Sequence, residues 1–148
     1  MMRKILFCLL VFGLAACKTY SDDELQSFDK QIEAHISKKG IDCDKSPSGL
    51  YFKLLRETEG RSIKYTDIVS FTYTGKLLDG TIFDKQDTAV TFEIKELIGA
   101  WKEMLLMMRE GEKAYLIAPP QLGYGTHDLP DIPKNSILEF ELEVTEVK

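Results

Sequence analysis

The chain predicts an α+β domain: a curved antiparallel sheet of about five strands wrapped around one short helix, with a second helix ahead of it. Three observations carry that expectation. Residues 135–148, NSILEFELEVTEVK, place Leu138, Phe140, Leu142 and Val144 on one face and Glu139, Glu141 and Glu143 on the other, the period-two pattern of a half-buried strand. The only tryptophan, Trp101, lies in a stretch where Leu97, Trp101, Met104, Leu105 and Met108 fall on one side of a helix. From Gly49 onward the remaining apolar runs are short and punctuated by Gly, Pro, Asp or Asn, as strands joined by turns are.

Taken in order, residues 1–16 read as a secretory signal: Arg3 and Lys4 precede an apolar run from Ile5 to Ala16. Its end, Leu14-Ala15-Ala16-Cys17, resembles the lipobox of bacterial lipoproteins, which implies a lipid on Cys17 and attachment to a membrane by acyl chains. Residues 17–48 are then the lipidated Cys, a tether, an amphipathic helix and a linker. Ser21 with Glu24 has capping-box spacing, Asp22 and Asp23 suit the first turn, Lys38 and Lys39 the last, and Gly40 marks the stop. Leu25, Phe28, Ile32 and Ile36 form a narrow stripe expected to dock on the chain's own domain, with a partner as the alternative. His35 flanks that stripe and is read as a surface or packing residue. Residues 41–48, IDCDKSPS, read as linker. Cys43, left alone once Cys8 and Cys17 are accounted for, is read as an inert thiol, since no His or Asn/Asp arrangement for nucleophilic catalysis surrounds it.

The domain proper is expected over 49–148. GLYFKLLR (49–56) predicts a strand and ETEGRSIKYT a polar loop. DIVSFTYT (67–74) predicts a strand with Val69, Phe71 and Tyr73 on one face. TIFD (81–84) and AVTFEI (89–94) read as two short strands around a polar interruption. Lys95 to Arg109 reads as helix, 112–119 as a strand stopped by Pro119-Pro120, and 122–133 as a long loop with two Gly, two Pro and His127.

The 148 residues carry a net charge of −5 and no basic run, so nucleic acid is not an expected partner. No His, Cys or carboxylate cluster has metal-ligand spacing. There is no glycine-rich phosphate loop and no acid–base pair, so no cofactor is expected. What recurs instead is an apolar set with few polar groups: Tyr73, Phe83, Trp101, Ile98, Tyr124, Ile132 and Phe140 around Asp84, the outline of a ligand pocket.

VSFTYTGKLLDGTIFD, LIGAWKEML, APPQLGYG, IP and LEFELEV, in that order, resemble the FKBP-type peptidyl-prolyl cis-trans isomerases over about residues 47–148. The resemblance implies catalytic roles for Tyr73, Phe83, Asp84, Trp101, Tyr124 and Phe140. Trp101 would be the floor of the pocket and Asp84 the polar group beside the substrate carbonyl. Val90, Leu97, Ile98, His127 and Ile132 would bind substrate, Ile98 through its backbone N–H. Implied partners are proline-containing polypeptides. A catalyst of X–Pro rotation acting during folding is the first reading, and a groove that binds without turnover, in an envelope complex, is the alternative. The signal plus one N-terminal helix is similar to gliding-motility-associated FKBP lipoproteins of Bacteroidetes; the lipobox implies the cell envelope, with the outer membrane facing the periplasm as the default and surface exposure as the alternative. Two departures from the family pattern stand out. The stretch between Asp84 and Phe92 is short and offers Asp84 no basic partner, Lys85 being misplaced, and Val90 stands where an aromatic is usual. A pocket more open on that side is therefore expected.

Overall fold

The computed structural model describes residues 20–148; the expected signal peptide and Cys17 lie outside the described residues. Six strands form one antiparallel sheet: β1 (Asp44–Lys45), β2 (Tyr51–Arg56), β3 (Ile68–Leu77), β4 (Ile82–Glu93), β5 (Lys113–Ala118) and β6 (Leu138–Val147), in the spatial order β1-β2-β5-β6-β3-β4. Helix α1 (Asp22–Lys39) precedes the sheet, and α2 (Gly99–Leu106) is inserted between β4 and β5. The α+β class and the antiparallel sheet with one short inserted helix are as expected, and β1 adds a sixth strand.

Alternation along the strands divides the apolar residues between two faces. Phe52, Leu54, Val69, Phe71, Ala114, Leu116, Leu138, Phe140, Leu142 and Val144 join Trp101, Met104 and Leu105 of α2 in the main core. Tyr51, Tyr115 and Ile117 point the other way and meet Phe28 and Ile32 of α1. Strand β5 is therefore covered on both sides, which explains why KAYLIA lacks the polar alternation of β6.

Local chemistry fixes α1 as the sequence implies. The Ser21 side chain accepts from the Glu24 N–H, the Glu24 carboxylate returns to the Ser21 N–H, and Gly40 closes the helix in the left-handed region at φ 65°. The stripe docks on the chain's own sheet, with Ile32 fully buried. Tyr20, just ahead of the helix, stacks edge-on against Phe28 with centroids 5.2 Å apart and donates its hydroxyl to Asn135 Oδ1 at 2.9 Å. Cys43 packs beside this second cluster, where burial pushes its thiol pKa up.

Four expectations are corrected. The 41–48 linker contains β1, whose two residues pair with Phe52 and Tyr51. Residues 82–93 are one strand, because the polar interruption bulges without ending it: between the pairs Tyr73–Gln86 and Phe71–Val90, β4 carries the extra residues. The helix spans eight residues, not fifteen; Ile94–Glu96 form a 3-10 turn and Leu97 and Ile98 are extended. Glu139 does face away from the core, but it lies under α1 and is buried, where His35 Nε2 approaches at 2.7 Å and Lys39 Nζ donates to both carboxylate oxygens at 2.7 and 2.9 Å.

Candidate active site

Because Leu97 and Ile98 are extended, α2 begins late and Trp101 falls in its first turn, packed into the main core. The indole is 8% exposed, so it is a floor and not a surface patch. Three rings meet it edge-on: Tyr73 at 4.7 Å, Phe140 at 5.1 Å and Phe71 at 5.2 Å between centroids, the edge-to-face geometry aromatic quadrupoles favour. Its Nε1–H is buried and has no hydrogen-bond partner among the described residues, which hold the ring by packing.

Above this floor opens a hollow of about 270 Å³, lined by Tyr73, Phe83, Asp84, Phe92, Glu96, Leu97, Ile98, Trp101, Tyr124 and Phe140. Strand β3 supplies Tyr73, β4 supplies Phe83 and Asp84, and β6 supplies Phe140. Phe83 stands perpendicular to Phe140 at 5.7 Å. Gly75 makes that pair fit: a Cβ there would lie 2.7 Å from Phe83 Cζ and 2.9 Å from Phe140 Cε1. This glycine within β3 thus leaves space for two walls of the hollow.

Asp84 lies at the rim and is exposed. It needs no basic neighbour, since the Tyr73 hydroxyl donates to its Oδ2. Lys85 instead pairs with Asp87 at 3.0 Å. Burial, then the Asp84 hydrogen bond and charge, push the Tyr73 phenol pKa far up; burial and Asp84 do the same more mildly to Tyr124. Both phenols therefore keep their protons at neutral pH. The Ile98 N–H, at the mouth of α2, makes no hydrogen bond among the described residues.

Eight of the eleven expected site residues line this hollow. Ile132 is buried and lines an adjoining one of about 210 Å³ with Phe83, Asp84, Tyr124, Leu129, Pro130 and Asp131. Val90 and His127 are placed elsewhere. Val90 pairs with Phe71 and packs against the main core, and Phe92 lines the hollow as an aromatic of β4. His127 is exposed and lines neither hollow; its Nδ1 donates to the Tyr124 carbonyl at 2.8 Å, bracing the loop that carries Tyr124. Sequence reasoning missed Phe92 and Glu96. The signal for Phe92 was its apolar side chain at the end of AVTFEI, two positions beyond Val90 on the same face of β4.

Among the described residues, no group of His, Cys, Asp and Glu could hold a metal. A family model described as FKBP-type peptidyl-prolyl cis-trans isomerase matches residues 59–145, more than half of the chain. The probable FKBP-type peptidyl-prolyl cis-trans isomerase of Haemophilus influenzae is 38% identical over 113 residues, covering 74% of this chain and 47% of that protein. The isomerase FkpA of Escherichia coli K12 is 33% identical over 134 residues, covering 88% and 48%. The chain thus spans about half the length of these curated relatives. The crystal structure of FkpA from E. coli superposes with a TM-score of 0.74 at 32% identity, over 85% of this chain and 60% of that one. A peptidyl-prolyl cis-trans isomerase from Pseudomonas syringae pv. tomato also gives 0.74, at 25% identity, over 88% and 97%.

Proposed function

Since the chain belongs to the FKBP-type peptidyl-prolyl cis-trans isomerase family, we propose that it accelerates rotation about X–Pro bonds in proline-containing proteins of the bacterial envelope, through the hollow over Trp101 and without a covalent step. The observation that carries this is the aromatic hollow with a carboxylate held at its rim by the Tyr73 hydroxyl.

Rotation about a peptide bond breaks its resonance and faces a barrier of about 18–20 kcal/mol. The planar amide is strongly dipolar and well hydrated. In the twisted state the nitrogen lone pair localises on nitrogen, and the carbonyl carbon loses the electron density that nitrogen supplied. A pocket walled by Phe83, Phe140 and Tyr73 offers the planar form no hydration, and so narrows the gap to the twisted form. The proline ring packs against the indole of Trp101, while the free Ile98 N–H receives a carbonyl of the bound chain. With one end held, the preceding carbonyl turns. Asp84, placed beside that carbonyl, favours the electron-poor carbon of the twisted amide, and the Tyr124 hydroxyl at the loop edge orients the chain. The ring and N–H contacts hold the substrate in both states, and the desolvating walls and Asp84 favour the twisted amide over the planar one, which is the requirement for catalysis.

The envelope location rests on Leu14-Ala15-Ala16-Cys17 at the end of the apolar leader, from which we infer a lipid on Cys17 and a place on the outer membrane facing the periplasm. Among the described residues no helix is long and apolar enough to cross a membrane. Membership of a gliding-motility complex is the narrower form of this reading, supported by the leader followed by a single docked helix.

The test is a prolyl-tetrapeptide isomerisation assay on the purified protein and on Asp84→Ala. Acceleration by the native protein, reduced about tenfold or more in the variant, supports the proposal; tenfold is about 1.4 kcal/mol of transition-state stabilisation. Equal, uncatalysed rates for both, with the tetrapeptide still bound, would leave a binding groove in place of an enzyme.

A further inference from the structure

The two hollows are one groove. They share Phe83, Asp84 and Tyr124, and the second runs on over Leu129, Pro130, Asp131 and Ile132. With a proline ring seated over Trp101 in the first, the second offers space to a residue beside it. Across both linings the charged side chains are Asp84, Glu96 and Asp131, without a lysine or arginine. Lys85 pairs with Asp87 at 3.0 Å and Lys95 with Glu93 at 2.6 Å, Lys95 also lying within the field of Glu96, while the Lys134 ammonium has no ion pair among the described residues. Asp84 accepts from Tyr73, whereas the Glu96 and Asp131 carboxylates make no hydrogen bond or ion pair among the described residues. The apolar walls supplied by Leu129, Pro130 and Ile132 suit the methylene stem of a long side chain, with Asp131 placed to meet its charged end.

We propose that this groove selects substrates bearing a lysine or arginine next to the proline, with Asp131 as the specificity-determining residue in the second hollow and Glu96, which lines the first, adding to the negative field. The inference rests on the isomerase reading for its groove, yet binding alone can test it. Opposite charges attract most where low-dielectric walls border them, and salt screens the attraction.

The experiment uses acetylated, amidated tetrapeptides with Lys, Leu or Glu placed in turn on each side of the proline. Binding is followed by the fluorescence of the sole tryptophan, Trp101, and turnover by isomerisation, at low and high salt. The expected result at one of the two positions is a Lys-over-Glu preference of about tenfold in low salt, shrinking as salt rises. Asp131→Asn should bring that ratio close to one. Glu57→Gln, the same charge change on a distant loop, should leave it as it was, which separates a local contact from the attraction of an acidic protein for any cation. If lysyl peptides bind preferentially but no peptide is isomerised, the specificity stands and the enzyme reading falls. Equal binding of Lys and Glu peptides, or an equal response to Glu57→Gln and Asp131→Asn, overturns the proposal.

Discussion

Strand β6 shows one sheet buried in two ways. Toward α2 it sends Leu138, Phe140 and Leu142 into an apolar core that stops short of closing and leaves the hollow over Trp101. Toward α1 it sends Glu139, a carboxylate 6% exposed and gripped by His35 and Lys39. The α1 face is nearly closed: its apolar residues pack together, its buried charge has partners at 2.7 Å, and the Tyr115 hydroxyl is its one buried side-chain polar atom without a partner among the described residues. The α2 face keeps polar capacity at its hollow: an Ile98 N–H without an acceptor among the described residues, and an exposed Asp84 whose hydrogen-bond donor is the neutral Tyr73 phenol. Stability can reside in either face, but only the unfinished one has capacity left for a ligand.

That contrast can be broken by substitution. The largest effect is expected from Phe140→Ala, which empties a buried site touching both Trp101 and Phe83. It should cost about 3–5 kcal/mol in urea unfolding and abolish isomerisation together with the fold's margin. Ile32→Ala removes a fully buried side chain from the other face and should cost about 2–4 kcal/mol. Under conditions where it remains folded, kcat/KM on a tetrapeptide should stay within about twofold of the native value; a large loss would show that the two faces are coupled. Gly75→Ala places a methyl against Phe83 and Phe140. It should cost about 1–3 kcal/mol and lower kcat/KM more than Ile32→Ala does, because both displaced rings wall the hollow.

The smallest effect separates the faces by pH. Burial raises the Glu139 carboxyl pKa, but the Lys39 and His35 hydrogen bonds and charges outweigh it, leaving the pKa below its ordinary 4.5. A carboxyl with a depressed folded pKa gives stability that is present above the unfolded value and lost as pH falls through the folded one. Thermal unfolding should therefore show a steeper loss below about pH 4.5 in the native protein than in Glu139→Gln. Equal slopes would mean that α1 is held by its apolar stripe alone. On the other face the raised phenols predict no change in kcat/KM between about pH 6 and 9 from Tyr73 or Tyr124.

What could be read from the sequence follows the range of the forces involved. Helix α1 was legible because its signals are local: Ser21, Glu24 and Gly40 lie within one turn of the groups they satisfy. Strand β6 was legible because alternation needs only one buried face. The site aromatics were legible through the family's motif order, which summarises distant contacts that no single segment reveals. Long-range pairing hid the rest. Asp44–Lys45 becomes a strand only because β2 lies beside it. The polar run after Asp84 looks like an end until its neighbour β3 continues and forces a bulge. Leu97 and Ile98 carry helical periodicity, yet stay extended at the mouth of the hollow. The burial of Glu139 depends on a helix that arrives about 100 residues earlier in the chain.

The central claim is tested most directly at Phe83, a wall of the hollow that is only half-buried and so contributes little to the fold. The measurement is the catalysed cis-to-trans rate constant of a proline tetrapeptide for the native protein and for Phe83→Ala, at equal concentrations of folded protein checked by circular dichroism. The account predicts clear acceleration by the native protein and a loss of about tenfold or more in the variant, about 1.4 kcal/mol in the barrier, with nearly unchanged thermal unfolding. Identical acceleration by both proteins would place any catalysis outside the hollow over Trp101 and contradict the account.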